Sequence, residues 1–427
     1  MLGFGATVLI VLLALSVPIA GVLGILALTM GMTFSPMPLH MAMGDIAWEN
    51  GIEFLLIAIP MFILMGEILL RAEIAERMYQ ALSQWLSWLP GGLMHSNVGA
   101  CAFFAATSGS SVATAATIGT VALPQMTKGG YNKRLFLGTL AAGGTLGILI
   151  PPSINMIIYG MLTETSVPKL YLAGFLPGFL LAFLFMLTVF IASLLGPEWG
   201  GKRPETNWQK RIACLPDLIP PFGIFLVVIG SIYAGLATPT EAAAFGVVAS
   251  LGLAAYYRKL SIEMLKAAML GAMRTNAMVM LIVLAAIFLN LVLAVVGLTQ
   301  AFNEFILNLG LSPAGTLWVI IISFMMLGCF MENFSLMLIF TPLVAPVVAG
   351  LGYDLVWFGI LMMVMLETAL ITPPVGVNLY VIQGVRGTGP LNDVIIGARP
   401  FVVTMMIMII LLVMFPQIAL WIPNTFG

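Results

Sequence analysis

Two apolar stretches constrain this chain more than anything else in it. In "GILIPPSINMIIYG" (Gly147–Gly160) and "ALITPPVGVNLYVIQG" (Ala369–Gly384), two adjacent prolines and a following asparagine interrupt a run of otherwise membrane-compatible residues. Proline has no N–H and clashes with the carbonyl one turn earlier, so each pair must open a helix. In a bilayer, irregular backbone persists only where it is buried in protein or lines a wet cavity. Each break is therefore either a kink satisfied by neighbouring hydroxyls or a built site.

Composition shows that the bilayer is the relevant solvent. The chain is 61% hydrophobic and 8% charged, with a mean hydropathy of +1.12, whereas soluble domains carry about 25% charged residues. Apolar segments near the ~20 residues needed to cross a membrane recur from end to end. The expected class is an all-α polytopic membrane protein. A net charge of −1 gives no basis for nucleic-acid binding. Cys101, Cys214 and Cys329 are too dispersed for a disulfide framework or a zinc site, and His40 and His95 stand alone. Leu2–Met32 lacks a basic start and a cleavage site, so it reads as a retained helix, tilted or bent near Pro18.

Basic residues set the expected topology. They cluster at Arg71 and Arg77; Lys128, Lys133 and Arg134; Lys202, Arg203, Lys210 and Arg211; Arg258, Lys259, Lys266 and Arg274; and Arg386 with Arg399. Cytoplasmic loops hold the Lys/Arg excess, which places all of these inside. Paired crossings Leu135–Tyr159 with Leu170–Leu195, and Leu218–Ala237 with Ala242–Tyr256, satisfy that demand. A single crossing between Arg77 and Lys128 would violate it. The run from about Val98 to Met126 is therefore expected to be a re-entrant hairpin, turning at "ATSGSSVATAATIG"; a surface helix beneath the headgroups is the alternative. A second hairpin is expected from about Thr316 to Ala349, between crossings Ala277–Gly297 and Leu355–Tyr380, with Phe401–Ile422 as the last helix. Only Lys169 among the 16 basic residues then lies outside.

The halves repeat. Shifted by 222 positions, Pro124, Gly130, Tyr131, Phe136, Pro151 and Pro152 meet Pro346, Gly352, Tyr353, Phe358, Pro373 and Pro374, six identities in 29 positions. One further residue of shift aligns Asn155 with Asn378. An odd number of expected crossings separates the halves, so the repeat is inverted. Paired interrupted helices in inverted halves point to a secondary-transporter site near the bilayer midplane. Freed carbonyls can ligate a dehydrated cation, and half-helix N-termini favour an anion.

Individual polar residues differ in what they imply. "TSGSS" (Thr107–Ser111) brings hydroxyls and a glycine to the first hairpin tip, or serves small-residue packing. "MENFS" (Met331–Ser335) occupies the matching place, with Glu332 opposite Ser110. Glu332 and Glu367 are acids at membrane depth, able to bind a cation, carry a proton or pair with a hydroxyl. Glu241 closes a capping box in "TPTE", and Glu67 stands one turn before Arg71 as an ion-pair partner. "RAEIAERMYQALSQWLSWLPGG" from Arg71 reads as an amphipathic inner-surface helix, and "LTQAFNEFILNLGLSPAG" from Leu298 as its outer counterpart. "RKLSIEMLKAAMLGAMR" is expected to be a separate cytoplasmic surface helix.

The segments "AIPMFILMGEIL", "LPGGL", "SGSSVATAATIGTVALPQM", "GGTLGILIPPSINMIIYG", "LAGFLPG", "ATPTEAAAFG" and "TPPVGVNLYV" span about residues 20 to 405. Together they resemble the DctM-like large membrane subunit of tripartite ATP-independent periplasmic (TRAP) transporters. The resemblance implies an elevator-type, sodium-coupled importer of organic acids in the bacterial inner membrane. It also implies a smaller membrane subunit of about four helices on a separate chain, and a periplasmic substrate-binding protein. The family's sodium sites at hairpin tips and helix breaks carry over to Ser108, Gly109, Ser110, Ser111, Gly147, Pro151, Pro152 and Asn155. In the second half they carry over to Glu332, Asn333, Ser335, Thr368, Thr372, Pro373, Pro374, Gly376 and Asn378. Where many relatives read "SGSAVAD", Thr114 replaces the usual aspartate. The implied organisation is a scaffold and inner arm (1–97), a first transport half (98–195), a loop, scaffold helices and outer arm (196–313), and a second transport half with the terminal helix (314–427).

Other classes lack their chemistry. Neither histidine has a nucleophile context for intramembrane proteolysis, and no GxxxxGK[ST] run marks a primary pump. A stand-alone ion-coupled carboxylate transporter, working without a binding protein, is the remaining alternative. No cofactor is expected beyond coupling sodium ions, and no intramembrane arginine announces which acid is carried.

Overall fold

The computed structural model describes residues 1–202, 207–308 and 310–426, and every regular element among them is helical. Arg203, one of the expected cytoplasmic cations, and Leu309, in the outer amphipathic segment, lie outside the described residues.

The two proline-broken helices form the centre of the molecule. Every residue from Leu135 to Leu149 is buried, as is every residue from Trp357 to Leu370. A helix apolar on all sides belongs inside a bundle. Around this pair, the chain runs twice through the same succession. Helices Leu93–Ser108 and Ser111–Gly129 form a hairpin; Lys133–Leu149, a break and Ile154–Thr163 follow; Val167–Leu195 closes the half. The second half has Pro313–Gly328 and Asn333–Gly350, then Leu355–Leu370, a break and Val377–Arg386, then Leu391–Met414.

The repeat extends to the caps. Ser110 and Glu332, 222 positions apart, are each the N-cap of a second hairpin helix and each accept a hydrogen bond from the backbone N–H three residues on. Asn132 and Asp354 stand in the same relation at the starts of the two broken helices. An N-cap acceptor satisfies a donor that the helix itself leaves orphaned. Matching caps therefore fix matching helix starts, although few side chains are shared.

Outside this core, Ala58–Arg71 packs against Pro239–Tyr256 and Ile262–Val295, and Ile262–Val295 also packs against Ile19–Phe34. Thr238 and Glu241 make the expected capping box. Arg71 and Glu67 form the expected ion pair at 3.0 Å. The first apolar segment divides at Pro18 into Leu2–Ala14 and Ile19–Phe34. Among the described residues, five helices are individually long and apolar enough to cross a membrane: Phe54–Arg71, Val167–Leu195, Ile262–Val295, Asn333–Gly350 and Leu391–Met414.

Three boundaries differ from expectation. The basic stretch after Arg258 is not a separate surface helix, because one 34-residue helix runs from Ile262 to Val295. No proline interrupts it, and its length of about 51 Å exceeds a ~30 Å hydrocarbon core. The last span is Leu391–Met414, followed after Pro416 by a short helix, Gln417–Phe426. Pro416 cannot donate to the carbonyl of Leu412, so the helix stops there. The inner amphipathic helix begins at Ile74 instead of Arg71, after Glu73 takes a left-handed conformation with φ 57°. It buries Ile74, Ala75, Met78, Tyr79, Ala81 and Leu82. Its Tyr79 hydroxyl donates to Asn97 Oδ1 at 2.8 Å, and Asn97 Nδ2 donates to Thr139 Oγ1 at 2.9 Å. That buried chain joins the arm, the first hairpin and the first broken helix.

Candidate functional site

In each half the hairpin tip rests on the helix break. At the first tip Gly109 is left-handed, with φ 61°, and turns the chain between the two helices. A Cβ on Gly109 would stand 2.9 Å from the Pro152 carbonyl oxygen, and one on Gly147 would stand 2.6 Å from that of Ser110. Only glycine allows backbone to meet backbone this closely. The tip is stitched by Thr114, which donates to the Ser110 carbonyl at 2.7 Å and shares a 2.8 Å hydrogen bond with Ser108 Oγ. Thr114 is thus a structural residue of the tip, and its hydroxyl has no charge to offer there.

At the second tip the contact is a hydrogen bond. Val375, just after Pro373–Pro374, donates its N–H to the Cys329 carbonyl at 3.1 Å. Glu332 caps the next helix through Ser335, accepting from its N–H at 3.2 Å and its hydroxyl at 3.3 Å. Gly376 is left-handed, with φ 48°, and re-enters the helix that carries Asn378.

The breaks themselves are alike in backbone and unlike in cover. Both proline–proline bonds are cis. Pro151, Pro152 and Ser153 are buried, whereas Pro373 and Pro374 are exposed. Prolines at 151 and 152 cannot donate to the carbonyls of Gly147 and Ile148, which leaves those oxygens without their helical partners. Several buried polar side-chain atoms around the breaks have no hydrogen-bond partner among the described residues: Asn155 Nδ2, Ser153 Oγ and Asn378 Oδ1.

The expected site residues therefore fall into two clusters. Ser108, Gly109, Ser110, Ser111 and Gly147 surround Pro151–Pro152, with Asn155 beginning the next half-helix. Asn333 and Ser335 follow Glu332 into the second hairpin, while Thr372 Oγ1 donates to the Thr368 carbonyl at 2.6 Å just before Pro373–Pro374. The halves interlock through Asn378, whose Nδ2 donates to the Ala141 carbonyl at 3.2 Å. Sequence reasoning missed the Cys329 and Ala141 carbonyls, which no side chain announces. Two cavities lie beside the second helix of the first hairpin. One of about 350 Å³ is lined by Thr127, Lys133 and Arg386, and one of about 410 Å³ by Glu76, Gln80 and Gln125. The first tip and break are closed upon one another, while the second break keeps its prolines exposed.

The description "Tripartite ATP-independent periplasmic transporter, DctM component" fits residues 6–418 as a family model. The chain belongs to this DctM family. It is 35% identical over 381 residues to the C4-dicarboxylate TRAP transporter large permease protein of Pseudomonas aeruginosa, covering 89% of this chain and 88% of that one. Its counterpart from Rhodobacter capsulatus is 35% identical over 436 residues, with 98% of each covered. The ectoine TRAP transporter large permease of Halomonas elongata is 31% identical, over 86% of this chain and 85% of the other. The crystal structure of the Alcanivorax borkumensis YdaH transporter shares the fold at a TM-score of 0.63, with 16% identity, covering 96% of this chain and 99% of that one. As a DctM component the protein is a multi-pass membrane transporter subunit and not an enzyme.

Proposed function

We propose that this DctM protein is the sodium-coupled large subunit of a TRAP importer for a small organic acid in the bacterial inner membrane. A separate small membrane subunit would brace it, and a periplasmic binding protein would deliver the substrate. The relatives' names, which include C4-dicarboxylate and sialic acid systems, support a carboxylate cargo. The hairpins would be re-entrant, and the inverted halves 98–195 and 314–427 would move as an elevator against residues 1–97 and 196–313. The observation that carries this reading is the pair of tip-on-break contacts, Gly109 on Pro152 and Cys329 on Val375. These contacts support the reading, because a tip seated on a break would bring hydroxyls and a half-helix N-terminus toward one another, a mixed ligand set suited to a cation and an anion.

Uptake into proteoliposomes holding both membrane subunits and the binding protein should require an inward sodium gradient. Full uptake without sodium, under a proton gradient alone, would refute sodium coupling. Uptake unchanged when the binding protein is omitted would favour the stand-alone carboxylate transporter.

A further inference from the structure

The cavity of about 350 Å³ lies where the two halves meet at their basic end, the end that the Lys/Arg rule places inside. Its walls are the second helix of the first hairpin, the start of Lys133–Leu149, and the end of Val377–Arg386 with the turn beyond it. Its polar lining is Thr120, Thr127, Lys133, Arg386 and Thr388, and no acidic side chain lines it. The size falls within the roughly 300–1,000 Å³ range of small-molecule pockets.

Arg386 is held there by its surroundings. Its side chain is only 9% exposed, and Nη2 donates to Asp393 Oδ2 at 3.3 Å. Gly389, left-handed at φ 79°, folds the following turn onto the guanidinium; a Cβ there would stand 2.5 Å from Nη2. The Gln383 side-chain amide fixes that turn by donating to the Gly389 carbonyl at 2.8 Å. Nη1 of the same guanidinium is buried and has no hydrogen-bond partner among the described residues. A buried charged donor without an acceptor is costly, and an anionic acceptor offsets that cost best.

Counter-charge is also short. Asp393 is shared, because Arg134 Nε donates to its Oδ1 at 3.1 Å. Lys133 forms no ion pair among the described residues. Lys133, Arg134 and Arg386 thus have one carboxylate between them. A bias of basic residues toward the inner side accounts for the exposed Lys133 and Arg134, but gives no reason to enclose Arg386. The position 222 residues before Arg386 holds Glu164, which is exposed and caps the end of Ile154–Thr163. The matching helix end in the other half therefore carries the opposite sign.

We propose that this cavity binds one oxyanion, a carboxylate or phosphate group, between Arg386 and Lys133. Arg386 supplies the enclosed, preoriented donor, Lys133 an exposed point charge, and Thr127 and Thr388 neutral donors. Two sources offer this chemistry: a free small acid, and the headgroup phosphate of an anionic lipid. That a free acid here is cargo on its inward release rests on the importer reading above; the oxyanion site itself does not.

The test uses the complex with the small membrane subunit, purified in sodium-free potassium buffer and held in nanodiscs of neutral phosphatidylcholine. Melting temperature is followed as potassium succinate or potassium phosphate replaces potassium chloride at constant ionic strength. Wild type should show a saturable rise with either anion. Arg386→Lys keeps a charge for Asp393 but gives up the guanidinium fork. It and Lys133→Gln should each need about tenfold more anion for the same rise. Lys133 is exposed, so its variant still decides the matter should Arg386→Lys fail to assemble. Nanodiscs containing phosphatidylglycerol separate the sources. A lipid phosphate in the site raises the starting melting temperature of wild type above that of Lys133→Gln and abolishes the response to added anion. A site for free acids keeps its response there. No saturable rise in neutral nanodiscs, or a rise that the variants reach at wild-type concentrations, would overturn the proposal and leave the cavity to water. Failure of sodium-driven uptake in a complex that keeps the anion response would count against the importer reading alone.

Discussion

Asn378 reaches across the repeat to hydrogen-bond the Ala141 carbonyl at 3.2 Å, while its repeat-mate Asn155 keeps its own amide Nδ2 buried and unpartnered. Two asparagines at equivalent places thus have different work. Asn378 ties the second break to the first broken helix; Asn155 has a donor and no acceptor for it among the described residues.

Substitution should separate these roles. Asn378→Ala should lower melting temperature with or without sodium, by the equivalent of roughly 1–3 kcal/mol, since it strands a buried acceptor. Asn155→Ala should leave sodium-free stability nearly unchanged and raise the sodium concentration for half-maximal uptake. Paired melting and uptake curves decide the matter, and an early-melting Asn155→Ala with normal sodium dependence would make that residue a structural cap.

The tip-on-break contact of the first half tolerates no side chain. In Gly147→Ala the new methyl would sit 2.6 Å from the Ser110 carbonyl, a main-chain atom that cannot rotate aside. Overpacking of this kind costs about 1–3 kcal/mol. We expect membrane insertion at wild-type levels, measured by quantitative blotting, with uptake reduced at least tenfold. Normal uptake would mean that the tip does not need to seat on the break.

Whether the first hairpin re-enters the membrane, as proposed, is checked by labelling. With Cys101, Cys214 and Cys329 replaced, single cysteines at Gln80 and Lys128 should react with an impermeant maleimide from the same, cytoplasmic side. Both positions are exposed and flank the first hairpin. Labelling from opposite faces of inverted and right-side-out vesicles would make the hairpin a full crossing and undo the inversion of the halves.

Asp393 holds two arginines from different segments, Arg134 at 3.1 Å and Arg386 at 3.3 Å. The Arg134 side chain is 56% exposed, so Arg134→Gln should cost under about 1 kcal/mol. The Arg386 side chain is only 9% exposed. Asp393→Asn leaves that enclosed cation unpaired and should cost several times more, up to about 3–5 kcal/mol. Comparing the two melting temperatures tests whether this clasp holds the broken helix Val377–Arg386 in place.

Much of this architecture was readable from sequence because punctuation residues act locally. The paired prolines open both helices and "TPTE" makes its capping box, whereas the caps at Ser110, Asn132 and Asp354 emerge only in the structure. The length of Ile262–Val295 was not readable. A change from charged to apolar residues marks a change of surroundings, and nothing at Arg274 stops the helix from continuing. The contacts that close the site were equally hidden, because Cys329 and Ala141 contribute carbonyl oxygens that every residue possesses. Glu367 stood out as an acid in an apolar run, but only the fold shows that it addresses the other half's break.

Because the seats of both hairpins are made of main chain, no substitution can remove their partners, although a side chain added at Gly109 or Gly147 can block the first of them. A substitution can alter what lines a pathway, yet it cannot delete the Pro152 or Cys329 carbonyl. Such a mechanism is insulated from drift in a way that a side-chain lock is not. Cargo preference is then free to diversify around a constant engine, and relatives at 31–35% identity bear names as different as C4-dicarboxylate and ectoine permeases.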